Sequence, residues 1–187
     1  MKKAILLSLL LALQSCMIGA GENSKVEASK NNYFPKITGI DLEGKKQELP
    51  AAFKNKLNLV IVAFKREQQA EVNTWIKAIE PILKENSNLS FYEIPLIYEL
   101  WALSRMWVNN GMRFGITDEV ARKRTITVYT NREEFFRITK MQEDKIFALL
   151  IDDSGKILWK KEGVADEDKM LDLKKIMLTK SNEPLNN

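Results

Sequence analysis

The sequence predicts an α/β protein, a three-layer α/β/α sandwich around a mixed central sheet. Three observations carry this. The run Leu57-Asn58-Leu59-Val60-Ile61-Val62-Ala63-Phe64 is continuously apolar and β-branched, as in a strand buried on both faces. A helical face follows directly, with Val72, Trp75, Ile76, Ile79, Ile82 and Leu83 at helical spacing. Near the end, two apolar runs flank Asp152-Asp153-Ser154-Gly155, the composition of a hairpin turn.

The remaining elements follow in order. Residues 37–49 form a hairpin about Glu43-Gly44. After the strand at 57–64, a helix spans 67–85 with Pro81 inside its apolar face. Residues 90–97 are a second buried strand with Pro95 near its end, and 98–112 a second helix closing near Gly111. A third strand covers 125–129. Thr130 with Glu133, or Asn131 with Glu134, caps a short helix that runs to about Thr139. The terminal hairpin occupies 146–161, and a last helix spans 166–179, with Asp166, Glu167 and Asp168 at its start and Lys174, Lys175 and Lys180 toward its end, as the macrodipole prefers. A βαβ start with a terminal antiparallel hairpin gives the sandwich.

The chain has 187 residues, one Cys and no His. That composition excludes Cys/His zinc sites and any nucleophile paired with imidazole. No cofactor and no metal is expected. Lys2 and Lys3 lead an apolar stretch at 4–13, the pattern of an export signal. Of the 29 basic residues these two lie in the leader, so the rest exceed the 25 acidic residues by only two. Nucleic-acid binding therefore lacks an electrostatic basis. Residues 17–32 are small and polar and read as a flexible tether, 33–180 as the folded domain, and 181–187 as a polar tail.

Leu13-Gln14-Ser15-Cys16 resembles the lipobox of bacterial lipoproteins. The resemblance implies cleavage before Cys16, lipidation of that thiol and a place in the bacterial envelope. Met17 favours the outer membrane facing the periplasm. The alternative is an ordinary signal cut after Ala20 or Gly21, which would leave a soluble or secreted domain.

The element order, with a strand feeding a proline-bearing helix and a late Asp-x-x-Gly hairpin, resembles the thioredoxin fold, especially its peroxiredoxin-like branch. Phe34-Pro35, Gly39, Leu42-x-Gly44, Trp75, Tyr98, Trp101 and the words around residues 150–159 and 163–165 are similar to the mitochondrial ATP-synthase assembly factors. That resemblance implies a redox-silent, protein-binding module working beside a membrane. In redox relatives the turn after the first core strand carries Cys-x-x-Cys; here it reads Lys65-Arg66-Glu67-Gln68-Gln69. Lys65, Arg66, Gln68 and Gln69 are accordingly candidates for contact with a partner protein through side-chain groups and helix-start N–H groups. Trp101 and Trp107 lie six residues apart, roughly 240° around a helix, so one of them is expected at the surface. Trp101 and Arg113 join the candidate surface. A second reading makes the protein a small-molecule or anion carrier, with a pocket beside the second helix and Arg113 as anchor. Asp152 and Asp153 are assigned to turn chemistry rather than catalysis.

Overall fold

The computed structural model describes residues 24–29, 32–98 and 102–181. Cys16, Trp101 and the tail beyond Ser181 lie outside the described residues. Seven strands form one sheet in the order β2-β1-β5-β4-β3-β6-β7: β1 (Ile37–Asp41), β2 (Lys46–Leu49), β3 (Leu57–Ala63), β4 (Leu89–Tyr98), β5 (Ile126–Thr130), β6 (Phe147–Asp152) and β7 (Ile157–Glu162). The centre, β5-β4-β3, is parallel, and both flanks are antiparallel. The sheet is therefore mixed, as the sequence predicts. Helices are α1 (Gln69–Glu85), α2 (Ala102–Gly115), α3 (Glu119–Arg124), α4 (Arg132–Thr139) and α5 (Glu167–Ser181).

Strand alternation divides the core. Val60 and Val62 of β3 and Leu149 of β6 face α4, where Phe135 meets Phe34 and Phe64 edge-on. Leu59, Ile61 and Leu150 face α1 and α5, which contribute Trp75, Ile79 and Leu173. Trp75 and Trp159 pack edge to face at 6.0 Å, and each indole is anchored: Trp75 donates to the Gly163 carbonyl and Trp159 to Asp172. These apolar clusters, not helix propensity, hold the layers together.

Turn chemistry fixes the hairpins. Asp41 Oδ1 accepts from the Glu43 and Lys45 N–H groups, and Gly44 takes φ +85°. Asp152 Oδ1 repeats the device with the Ser154 and Lys156 N–H groups, and Gly155 takes φ +86°. A Cβ on Gly155 would lie 2.5 Å from Pro50, so close packing as well as conformation requires glycine. Asn131 caps α4 by accepting from the Glu134 N–H, one of the two pairings the sequence offers.

Two expectations are corrected. Residues 24–29 do not behave as a tether. Ser24 N–H donates to the Tyr129 carbonyl at 2.7 Å, its carbonyl accepts from the Thr130 hydroxyl, and Val26 is buried. Glu27 and Lys36 exchange a pair of backbone bonds. The attachment is made mostly by backbone groups, with Val26 and the Ser24 hydroxyl, which accepts from the Thr38 N–H at 2.6 Å, and a small polar composition does not reveal it. The second correction is α3, absent from the sequence reading: Asp118 caps it by accepting from the Ala121 N–H, and Arg122, Lys123 and Arg124 form its last turn.

Candidate functional site

The parallel strands β3, β4 and β5 end at one edge of the sheet, where open α/β folds place their sites. Lys65 follows β3, Tyr98 ends β4, and Arg132 opens α4 just after β5. The loop before β6 brings Glu143 to the same edge, since Phe147 pairs with Val62.

A single 3₁₀ turn, Arg66–Gln68, links β3 to α1. Gln68 is buried, contrary to its expected role as a partner contact. Its Oε1 accepts from the Phe64 N–H at 2.8 Å and the Lys65 N–H at 3.1 Å, and its Nε2 donates to the Glu143 carbonyl at 3.0 Å. Both its amide oxygen and its amide nitrogen are engaged within the chain, because a buried amide left unpaired would be costly. Gln68 therefore shapes the site. Lys65, Arg66, Glu67 and Gln69 remain exposed around it.

Glu143 also pairs through its carboxylate with Lys65 at 3.4 Å and Arg132 at 2.8 Å. Arg132 is 4% exposed and lies over the Tyr98 ring at 4.2 Å, with Phe64 and Phe136 each at 5.5 Å. Tyr98 presents the rest of its ring to solvent. Neither Arg132 nor Glu143 is among the candidates read from the sequence. The signal was available only in part: Arg132 stands directly after the Asn131 cap, but its ion pair joins loops that meet only in space. Chemically, the edge offers exposed donors, acceptors and one half-exposed aromatic ring. No residue from Phe64 to Gln69 carries sulfur, so no thiolate can form at this turn.

Arg113 lies elsewhere. It ends α2 and faces Glu43 of the first hairpin at 3.6 Å, while Arg122 also pairs with Glu43. The pair from Arg122 holds the Glu43 carboxyl below its usual range. Two open depressions among the described residues, of about 370 and 270 Å³, include no residue of α2. The first lies against Phe91 and Arg124, the second against Asp41 and Tyr92. Trp107 is 77% exposed, whereas Trp75 and Trp159 are core.

The family model described as ATP10 protein matches residues 20–179. The chain belongs to the ATP10 family. This is the ATP-synthase assembly factor family that the sequence resembles, and its match spans all but the last two described residues. No curated protein matches the chain. Solved structures give the fold of this ATP10-family chain. A putative electron transfer protein from Aquifex aeolicus VF5 is 16% identical with a TM-score of 0.55, covering 83% of this chain and 100% of that one. The exposed lipoprotein thioredoxin Etrx1 from Streptococcus pneumoniae is 12% identical with a TM-score of 0.50, covering 75% and 98%. BsSco, a member of the Sco family of cytochrome c oxidase assembly proteins, is 16% identical with a TM-score of 0.50, covering 84% and 98%. The fold is thioredoxin-like.

Proposed function

We propose that this ATP10-family chain is a redox-inactive docking module that assists assembly of a partner protein beside a membrane. The observation that carries the reading is the turn after β3: where redox relatives place their thiols, Gln68 closes the backbone and Lys65, Arg66, Glu67 and Gln69 face outward. Such a surface supports reversible contact through charge and hydrogen bonding, with Tyr98 as an aromatic anchor. The reading includes no covalent step and no catalysis. Lipidation of Cys16 in a bacterial envelope, with the outer membrane facing the periplasm, would hold the domain beside its client.

A photo-crosslinking residue at Arg66 or Gln69, introduced into the full chain in its native envelope, tests the client. The expected product is one discrete membrane protein, absent when the crosslinker stands at Lys77 on the outer side of α1. Equal labelling from all three positions would overturn the docking surface. Turnover of disulfide substrates by a Cys16→Ser chain would overturn redox silence. Labelled palmitate should enter the parent chain and not the Cys16→Ser variant.

A further inference from the structure

α2 turns a large apolar stripe away from the core. A helix on a globular surface normally turns its apolar face to the core. Here Arg105 is 8% exposed and Asn109 accepts a hydrogen bond from the buried Tyr129 hydroxyl at 2.7 Å, so polar groups share the sheet side with the half-buried Val108 and Met112. The outward side carries Leu103 at 71% exposure, Met106 at 52%, Trp107 at 77% and Phe114 at 87%. At about 100° per residue these four fall within an arc of about 100°, one continuous stripe. An exposed stripe of this size and composition is a contact surface rather than scattered surface apolarity.

Two observations identify what covers it. α2 itself contains no acidic residue, and residues 102–124 hold Arg105, Arg113, Arg122, Lys123 and Arg124 against Asp118 and Glu119. Glu43 offsets part of this charge, and a positive balance remains. The second observation is where the amino-terminal segment joins the fold. The Ser24 N–H donates to the Tyr129 carbonyl and the Ser24 carbonyl accepts from the Thr130 hydroxyl, while the Tyr129 hydroxyl donates to Asn109 of α2. Seven residues lie between Cys16 and Ser24, and the eight steps span at most about 28 Å. A lipid on that thiol would therefore hold the Ser24 end of the sheet, where Tyr129 meets α2, within this reach of a bilayer.

We infer that α2 is an interfacial helix that lies on a bilayer bearing anionic headgroups, with Leu103, Met106, Trp107 and Phe114 immersed and the half-exposed Arg113, which flanks the stripe, at headgroup level. This goes beyond the docking function and requires neither lipid on Cys16 nor a protein client. It sets the orientation of the domain at the membrane.

The test uses the full chain with Cys16→Ser and a single nitroxide at Trp107→Cys, Phe114→Cys or, as reference, Lys77→Cys. Any insertion of residues 4–13 brings all three chains to the membrane equally. With vesicles of phosphatidylglycerol and phosphatidylcholine, the ratio of oxygen to nickel-complex accessibility should rise severalfold at 107 and 114 and stay unchanged at 77. A smaller rise is expected with phosphatidylcholine alone. Labels at 107 and 114 that behave like the one at 77 would overturn the inference. So would labels already shielded without vesicles: shielding at all concentrations means that residues 4–13 cover the stripe, and shielding that grows with protein concentration means a second copy. Crosslinking from Arg66 and Gln69 would survive either failure, which separates this inference from the proposed client surface.

Discussion

Gln68 and its neighbours show how adjacent residues divide between holding a surface and forming it. Gln68 satisfies two backbone donors and donates to a third residue, so Gln68→Ala strands buried groups at the end of β3. The expected loss is about 1–3 kcal/mol, read as a lower urea midpoint with an unchanged slope. Arg66→Ala, on an exposed side chain, should change stability by no more than about 0.5 kcal/mol while weakening the crosslinked complex. If both variants lost stability equally, the turn would be structural throughout. Arg132 belongs with Gln68: its guanidinium is buried against Phe64 and Phe136 and paired to Glu143, so its charge serves the shape of the edge.

Among the elements, α2 depends on few internal anchors. Burial raises the Tyr129 hydroxyl to about 12, against a smaller lowering by Arg105, so it stays a donor to Asn109 at physiological pH. Tyr129→Phe should cost about 1 kcal/mol and speed hydrogen exchange in α2 while leaving α1 protected; uniform exchange across both helices would show that the bond does not hold α2 locally. The same elements show what a sequence can disclose. β3 and α1 were legible because their apolar residues repeat with the period of a strand and of a helix. The Asn131 cap and the two turns were legible because the side chain that bonds the backbone lies within four residues of it. The orientation of α2 was less so. Apolar periodicity defines a face without saying whether protein or another phase covers it, and only the opposition of Trp101 and Trp107 hinted that one side looks outward. The six-residue α3 is too short for a periodic signal. The Lys65–Glu143–Arg132 group joins three separate loops, so no local spacing could reveal it.

Over the whole molecule, acid sensitivity follows from carboxylates whose environments push in opposite directions. Asp172 is held low first by the Trp159 indole and then by Lys161; Asp166 by Lys169; Glu134 by Arg137. Each has a folded pKa below its unfolded one, so the stability it adds is present above the unfolded value and lost as pH falls through the folded value. Glu93 is the counterweight. It is 8% exposed on β4, and desolvation raises its pKa above the ordinary 4.5 despite the opposing pull of Arg124 and a hydrogen bond from Gln69. For a carboxyl raised in the fold the sign reverses: its ionisation costs stability as pH climbs from 4.5 through the folded value, and the full cost is present above it. Glu93→Gln removes that cost and retains an amide of similar shape beside Gln69. The variant should therefore have a higher urea midpoint than the parent at neutral pH, with the advantage shrinking toward zero as pH falls below about 4.5. Asp172→Asn should do the reverse, losing stability at neutral pH and converging on the parent in acid. Denaturant titrations of the parent and both variants across this range measure the two slopes directly; an equal midpoint for Glu93→Gln and parent at neutral pH would mean that Arg124 and Gln69 fully compensate the buried charge.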